Sequence, residues 1–244
     1  MKDKQIGKAA SFYNLEWDTG FFGVNCAKAI LHEPLKLEDW NVLKNEFKKY
    51  QFISIENRGS EPINAQLIGK ETKAFLADVN IQFKKRLNGL YEMPQNIEIH
   101  QALERNKQII EIAEFRFSKF NEDPELAKRR GSEIYQQWLI NSFGKVDKYF
   151  ALSKDGNGKI VGFLLYSYSG NTCVVELIAV SKNTAPSGTG TSLFKAVECV
   201  AYDHGCEEMR VGTQIRNLGA IDFYHKVGCK QVECHQVYHL WNLG

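Results

Sequence analysis

The sequence lacks the long apolar segments that mark membrane-spanning and secreted proteins. No run approaches the ~18 continuous apolar residues of a transmembrane helix, and the first residues, MKDKQIGKAASFYN, contain no apolar signal-peptide core. Net charge is also small, because 31 Lys and Arg nearly balance 29 Asp and Glu. No broad field therefore selects nucleic acid or an anionic membrane. We expect a cytoplasmic protein that binds neither and holds any anionic ligand by local geometry.

The six cysteines lack the Cys-x-x-Cys spacing of zinc sites and redox motifs. In a reducing cytoplasm they are expected to remain thiols. The nearest candidate for a metal cluster, Cys234 and His235 with His239, falls in an alternating terminal segment. Strand geometry there sends Cys234 and His235 to opposite faces, so the sequence predicts structural thiols and no metal site.

Ordinary composition predicts a folded globular chain, since 43% of residues are hydrophobic and 25% are charged. A chain of 244 residues can bury one large core or two modest ones, and pattern must decide between them. In the first part, an amphipathic helix over 34–50 precedes a strand, a helix and a strand ending near residue 87. The turn-rich stretch LNGLYEMPQN then marks a boundary. We predict a small α/β domain over 1–92 and a second domain over 93–244.

The second part alternates helical and strand-like patterns, with the hairpin turns DGNG and SGN between three consecutive strands. Helices are predicted over 102–120, 132–143, 191–204 and 217–228, and a polar loop over 121–131. Strands are predicted at 97–100, three times over 149–180, near 207–215 and at the end of the chain.

The stretch AVSKNTAPSGTGTSLF, residues 179–194, leaves much bare backbone at the start of a helix. Consecutive N–H groups and the helix dipole there form an anion site, most naturally for phosphate or pyrophosphate. Gly188 and Gly190 allow close approach, while Ser187, Thr189 and Thr191 add hydroxyl groups. The alternative is a flexible surface turn.

Two familiar phosphate loops are excluded. The Walker pattern Gly-x-x-x-x-Gly-Lys-Ser/Thr is absent, and the third glycine of a Rossmann fingerprint is replaced, because Leu193 stands three residues after Gly190. The preceding strands are also predicted to be hairpins rather than a parallel βαβ unit. The loop is therefore neither a Walker loop nor a dinucleotide site.

The order of motifs resembles the GNAT acyl-CoA N-acyltransferase superfamily over about residues 97–244. The family has the same order of elements as this sequence: the strand VVELIAV, a loop ending in GTG, a helix, a strand, and NLGAIDFY followed by KVG. Ala185 departs from the pattern, because a Gln or Arg usually stands there, so one side-chain contact to the cofactor is expected to be missing. The positions that match are Gly188, Gly190, Asn217, Ala220 and Tyr224.

A second resemblance covers nearly the whole chain. LEWDTGFFG, FRFSKFNEDPE and IYQQWLINSF are similar to the two-domain branch typified by dTDP-fucosamine (dTDP-4-amino-4,6-dideoxygalactose) acetyltransferase. It implies an α/β (α+β) GNAT fold whose central mixed, mostly antiparallel sheet is flanked by helices and preceded by a smaller α/β domain resembling a truncated GNAT unit. It also implies acetyl-CoA as co-substrate and no metal.

The resemblance implies roles for individual residues. Tyr224 would protonate the CoA thiolate and Glu176 would be a base; the alternatives are a core aromatic side chain for Tyr224 and an ion pair or an exposed position for Glu176. Asn217 would bind the cofactor arm, cap its helix, or both. The cofactor would lie along backbone and loop positions Ile178, Ala179, Val180, Ser187, Gly188, Thr189, Gly190 and Thr191.

The implied acceptor is a primary amine, most naturally the 4-amino group of a nucleotide-linked deoxy sugar. Arg116, Lys119 and Arg129 could meet its diphosphate, and Tyr135 or Trp138 could pack on its base or sugar; the alternatives are a solvated charge run and a helix core stripe. Two other functions stay open: acetylation of another amine, such as an amino acid, antibiotic or peptide end, and a non-catalytic acyl-CoA-binding module. A homodimer is possible.

Overall fold

The computed structural model describes residues 4–6, 8–89, 91–114 and 117–243. The first part of the chain forms β1 (Lys4–Ile6), β2 (Ala10–Asn14), α1 (Glu16–Phe22), β3 (Cys26–Leu31), α2 (Leu37–Phe47), β4 (Phe52–Asn57), α3 (Pro62–Glu71) and β5 (Phe75–Arg86). The second part forms β6 (Ile97–Gln101), α4 (Lys107–Ile112), α5 (Lys119–Glu122), α6 (Pro124–Ala127), α7 (Ile134–Ser142), β7 (Tyr149–Lys154), β8 (Ile160–Ser169), β9 (Thr172–Val180), α8 (Thr189–Asp203), β10 (Glu208–Gln214), α9 (Leu218–Lys226) and β11 (Lys230–Trp241).

The strands within these residues form one sheet in the order β1-β2-β3-β4-β11-β5-β10-β9-β8-β7-β6. Two neighbouring pairs, β3 with β4 and β9 with β10, are parallel, and the other pairs are antiparallel. Helices flank the sheet. The predicted fold class, a mixed and mostly antiparallel sheet with helices beside it, is confirmed.

Each part of the chain contributes one strand that pairs with strands of the other part. β5 comes from the first part, yet it lies between β10 and β11 and is antiparallel to both. In return, the end of β11 pairs with β4, with Tyr238 opposite Ile55. The sheet is therefore continuous across the predicted boundary between residues 92 and 93, which stays a prediction. This exchange also carries side chains of β5 to the second part of the sheet.

Buried side chains cover both faces of the second part of the sheet. One cluster joins β8, β9 and β10 to α8 and α9 through residues such as Val175, Leu193 and Phe194. On the opposite face, Leu139 of α7 and Leu177 of β9 belong to a second cluster. Burial of each large apolar side chain contributes roughly 2 kcal/mol to stability. These two cores fix β9 between helices on either side.

The apolar stripe of α2 is placed largely as predicted. Trp40, Leu43 and Phe47 are buried in a third cluster that packs α2 and α3 against the first part of the sheet, while Leu37 is 65% exposed. Leu37 is the first residue of α2. The spacing thus predicted the helix and its inward face except at its first turn.

The segment from residue 102 to 131 differs from the prediction. The expected long helix is instead the short α4, which Asn106 caps and which ends at Ala113 with non-helical φ −75° and ψ 63°. The expected loop contains α6, because Asp123 accepts hydrogen bonds from two amides of the next turn and Pro124 occupies the first helical position. The Asp-Pro pair was wrongly interpreted as a loop signal, whereas it is a helix start.

Some features are absent from the described residues. None of their helices is both long and apolar enough to cross a membrane. Nor do they contain a group of three His, Cys, Asp or Glu side chains placed to hold a metal ion. The six cysteines are free thiols, and Cys26, Cys173, Cys206 and Cys229 are buried.

A buried carboxylate fastens α6 to the last strand. Asp123 is 1% exposed, and its Oδ2 lies 2.7 Å from His239 Nδ1 and 3.0 Å from Trp241 Nε1. Its Oδ1 accepts from the amides of Glu125 at 2.9 Å and Leu126 at 3.2 Å. Burial raises the pKa of Asp123, but these hydrogen bonds outweigh it and the pKa lies below its ordinary value. Asp123 is thus a charged acceptor that orders the segment beside β11.

Replacing Asp123 by Ala should lower the free energy of unfolding by at least about 3 kcal/mol, because several buried donors lose a charged acceptor. Urea unfolding at neutral pH would measure this, with Asp222→Ala in α9, an exposed position, as the control. Since the pKa of Asp123 is lowered in the folded state, the stabilisation is full above pH 3.8 and is lost as pH falls below it. Equal stability of the two variants at pH 7 would contradict this role.

Candidate active site

A split between two parallel strands creates the main cavity. β9 and β10 pair from Thr172 opposite Glu208 to Val175 opposite Val211. Beyond that point the strands separate, although β9 continues to Val180 and β10 to Gln214. The backbone of residues 176–180 consequently has no strand partner on the β10 side. A cavity of about 970 Å³ includes this open edge, with Ile178, Ala179 and Val180 in its wall.

Glu176 sits at a β-bulge where the cavity begins. In the pairing of β8 with β9, Tyr166 faces Val175 and Leu165 faces Leu177, so Glu176 is the extra residue. Its side chain is 7% exposed. Oε1 accepts from Lys148 Nζ and from Ser167 Oγ, both at 2.5 Å, while Oε2 is buried without a hydrogen-bond partner in the described chain. The carboxylate is therefore held in place through one of its two oxygens.

Tyr224 reaches the same cavity from α9. It is 4% exposed, and its ring packs near Phe83, with centroids 5.4 Å apart, and near Phe194 at 6.5 Å. Burial raises the pKa of the phenol, and nearby Cys229 raises it further. The ring of Tyr224 therefore belongs to the core, and its hydroxyl keeps its proton at neutral pH, while its role as an acid stays a prediction.

Asn217 is the N-cap of α9 and also lines the cavity. Its Oδ1 accepts from the Ala220 amide at 3.2 Å, which is the capping bond that the sequence predicts. The structure therefore brings Asn217, Glu176 and Tyr224 to one cavity, together with the open edge of β9.

The start of α8 lies beside the end of β9. A side-chain carbon at Gly190 would lie 3.4 Å from Phe223 and 4.0 Å from Val180, so the helix begins close to the open edge. Gly188 caps the helix with φ 90°, a conformation that favours glycine. The amides of Gly190 and Thr191 have no protein acceptor in the described chain. These amides can hold an anion at the end of the open strand.

The hydroxyl groups of this loop differ in their use. Thr189 is buried, and its hydroxyl donates to the Pro186 carbonyl at 2.8 Å while its amide donates to the same carbonyl at 3.2 Å. Thr189 thus fixes the turn and offers no free proton. Ser187 is exposed, and Ser187, like Thr191, makes no side-chain hydrogen bond in the described chain. Those two hydroxyls stay available.

The residues expected to meet the acceptor separate into two groups. Lys119, Tyr135 and Trp138 line the cavity, and the Tyr135 hydroxyl accepts from Gln214 Nε2 at 2.9 Å. Arg129 is not in the cavity wall. Its guanidinium instead lies 3.8 Å from the Glu125 carboxylate and 5.7 Å from the Trp241 ring centroid. Arg116 lies outside the described residues.

Two pKa shifts occur where Lys119 and Tyr135 line the cavity. Burial lowers the pKa of Lys119, and the Lys28 ammonium lowers it further. Burial raises the pKa of Tyr135 to about 12, so its hydroxyl keeps its proton at neutral pH. This side of the cavity combines a lysine whose pKa is lowered with a protonated phenol and the Trp138 ring.

Four side chains of the cavity region were missed by the sequence reasoning. Lys148 and Ser167 hold Glu176 but are 28 and 9 positions away from it. Asn80 and Gln82 belong to β5, in the part of the chain to which no site was assigned. No local pattern relates these residues to the cavity, since only the sheet pairings bring them there.

Comparisons with known proteins agree with this geometry. The model of the Acetyltransferase (GNAT) family matches residues 106–229, just over half of the 244 residues. The spore coat polysaccharide biosynthesis protein SpsD of Bacillus subtilis is 25% identical over 135 residues, which cover 54% of this chain and 46% of that protein. The match thus spans about half the length of this curated relative.

Solved structures share the fold over nearly the whole chain. A GCN5-related N-acetyltransferase from Sphaerobacter thermophilus has a TM-score of 0.62 at 13% identity and covers 96% of this chain and 76% of its own. A GCN5-related N-acetyltransferase from Kribbella flavida also has a TM-score of 0.62, at 11% identity, and covers 100% of this chain and 90% of its own. With the family match over half of its length, the chain belongs to the GNAT acetyltransferase family.

Proposed function

We propose that the protein transfers the acetyl group of acetyl-CoA to a primary amine. The observation that carries this proposal is the continuity of the open edge of β9 with the free amides at the start of α8. The pantetheine amides would pair with Ile178, Ala179 and Val180 as an added strand does. The pyrophosphate would then accept from the amides at Gly190 and Thr191. Tyr224 lies in the wall of the same cavity, which supports placing the thioester of acetyl-CoA at the split between β9 and β10.

The proposed chemistry is direct attack of the amine on the thioester carbonyl. The amine nitrogen forms a bond to the carbonyl carbon, the C–S bond breaks, and Tyr224 donates its proton to the departing sulfur. The proton lost by nitrogen passes to Glu176 Oε2, which has no other partner, or to water beside it. A sugar amine with a pKa of about 8, like an α-amino group, is partly neutral at physiological pH, so a base adds to the rate without being essential.

For the acceptor, we propose the 4-amino group of a nucleotide-linked amino-deoxy sugar, acetylated in the cytoplasm. Similarity to a spore coat polysaccharide biosynthesis protein supports a sugar pathway. A cavity of about 970 Å³ has room beyond a thioester for a large acceptor. Lys119 supplies an amino group that a diphosphate would contact, and Tyr135 and Trp138 supply ring faces for a base or a sugar.

A thiol-release assay over an amine panel tests this proposal. We expect turnover with dTDP-4-amino-4,6-dideoxygalactose and little with free amino acids, aminoglycosides or peptide N-termini, because only the first carries a diphosphate and a base for Lys119, Tyr135 and Trp138 to contact. Thermal shift with acetyl-CoA would show cofactor binding separately. Turnover of an amino acid without turnover of the nucleotide sugar would overturn the acceptor assignment, and binding without turnover of any amine would favour a non-catalytic module.

Tyr224→Phe should lower kcat about 100-fold, because the sulfur then leaves as an unprotonated thiolate, whereas Glu176→Gln should lower it only several-fold. Stopped assays with saturating acetyl-CoA would measure both, with Tyr202→Phe, 43% exposed on α8, as the matched control. Because the pKa of Tyr224 is raised, the acid form persists as pH rises, so kcat should not fall between about pH 7 and 9. Near-normal turnover of Tyr224→Phe would remove the acid assignment.

Gly188→Leu should raise the Kd of acetyl-CoA at least about 10-fold, because the side chain would cover the free amides at the start of α8. Gly205→Leu is the matched control. Both glycines have positive φ, 90° and 85°, and neither has a neighbour within 4 Å of an added side-chain carbon, so the backbone strain is comparable. Calorimetry should show weaker binding for the Gly188 variant alone. Equal affinities would refute the anion site.

A further inference from the structure

Two amide side chains from the first part of the chain enter the wall of the cavity. Asn80 and Gln82 lie on β5, which pairs with β10 so that Asn80 faces Gln214 and Gln82 faces Gly212. Gly212 follows Val211, the last residue of β10 that pairs with β9. The two amides therefore stand where β9 and β10 separate, across the split from Glu176.

A missing side chain on β10 makes room for these amides. A side-chain carbon at Gly212 would lie 2.7 Å from Gln82 Nε2 and 2.9 Å from Asn80 Oδ1, closer than ordinary contact allows. The backbone of Gly212 does not have positive φ, so its conformation does not require glycine. Glycine is required here because there is no room for a side chain. The amides consequently lie against bare backbone, and any larger residue at position 212 would displace them.

The two amides bind each other and leave a complementary pair of groups free. Gln82 Nε2 donates to Asn80 Oδ1. Asn80 Nδ2, a donor, and Gln82 Oε1, an acceptor, have no hydrogen-bond partner in the described part of the chain. A hydroxyl group can donate one hydrogen bond and accept another. A neighbouring donor and acceptor therefore match a hydroxyl better than an ammonium group, which only donates hydrogen bonds.

We propose that the Asn80–Gln82 pair is the subsite that recognises hydroxyl groups of a polyhydroxylated amine. This inference rests on the proposed acetyl transfer and extends it: the second part of the chain holds the thioester and the acid, whereas the first part selects the acceptor. The two roles meet in one cavity because β5, a strand of the first part, lies beside β10 of the second part. An acceptor whose amine lies near Glu176 would place its neighbouring hydroxyls toward β5.

The test compares Asn80→Ala and Gln82→Ala with Gln231→Ala, an exposed amide on the adjacent strand β11. Two acceptors are used: dTDP-4-amino-4,6-dideoxygalactose and cyclohexylamine, which has no hydroxyl. Each cavity variant should lose about 10-fold in kcat/KM for the nucleotide sugar, mainly through KM, because a hydrogen bond to the acceptor is lost. Turnover of cyclohexylamine and the Kd of acetyl-CoA should stay as in the wild type, as should every value for the Gln231 variant.

Gly212→Ala is a second variant that keeps both amides but displaces them, and it should raise KM for the nucleotide sugar in the same way. Loss of acetyl-CoA affinity would reveal a folding defect in any variant. If the wild type acetylates the sugar and the cavity variants do so equally well, the subsite is wrong while the proposed function stands. If the wild type acetylates no sugar, the proposed function fails. The subsite can then still be tested by calorimetry with the sugar nucleotide. An affinity that the variants leave unchanged would overturn the subsite independently.

Discussion

Pairing between β9 and β10 stops at Val175 and Val211, and the candidate site depends on this one interruption. Backbone groups of a central strand are normally satisfied on both sides. Here residues 177–180 keep their partners on β8 but face a cavity on the other side. The cores on both faces of β9 hold the strand in place despite this loss. The split thus leaves an unpaired strand edge, which is where the proposed cofactor would bind, and the start of α8 lies near the end of this edge.

The exchange of β5 and β11 gives the split its second wall. β5 pairs with β10 over seven residues, from Glu208 opposite Arg86 to Gln214 opposite Asn80. β10 is therefore held from the β5 side where it has left β9. At the same time β11 joins β4, and Asp123 ties the segment beside the cavity to His239 and Trp241 of β11. The two parts of the chain consequently support one site rather than two separate ones.

Local signals in the sequence predicted the residues that lie close together along the chain. Asn217 and Tyr224 cap and belong to one short helix, and the glycines at the start of α8 belong to one loop, so resemblance to short motifs of the family was enough to single them out. Lys148 and Ser167 could not be found in this way, because a β-bulge and strand register bring them to Glu176. The amides of β5 were missed for the same reason. Asp123 and Pro124 show a local failure, since the pair that signals a loop also starts a helix.

The bulge at Glu176 also separates chemistry from packing. It shifts the alternation of side chains, so that Val175 and Ile178 belong to the core beside α8 while Leu177 belongs to the core beside α7. Glu176 belongs to neither core. A different residue at this position would leave the apolar side chains of both cores in place, but it would remove the acceptor of Lys148 and Ser167. The extra residue thus ties the polar character of this position to two hydrogen-bond partners rather than to the packing of the strand.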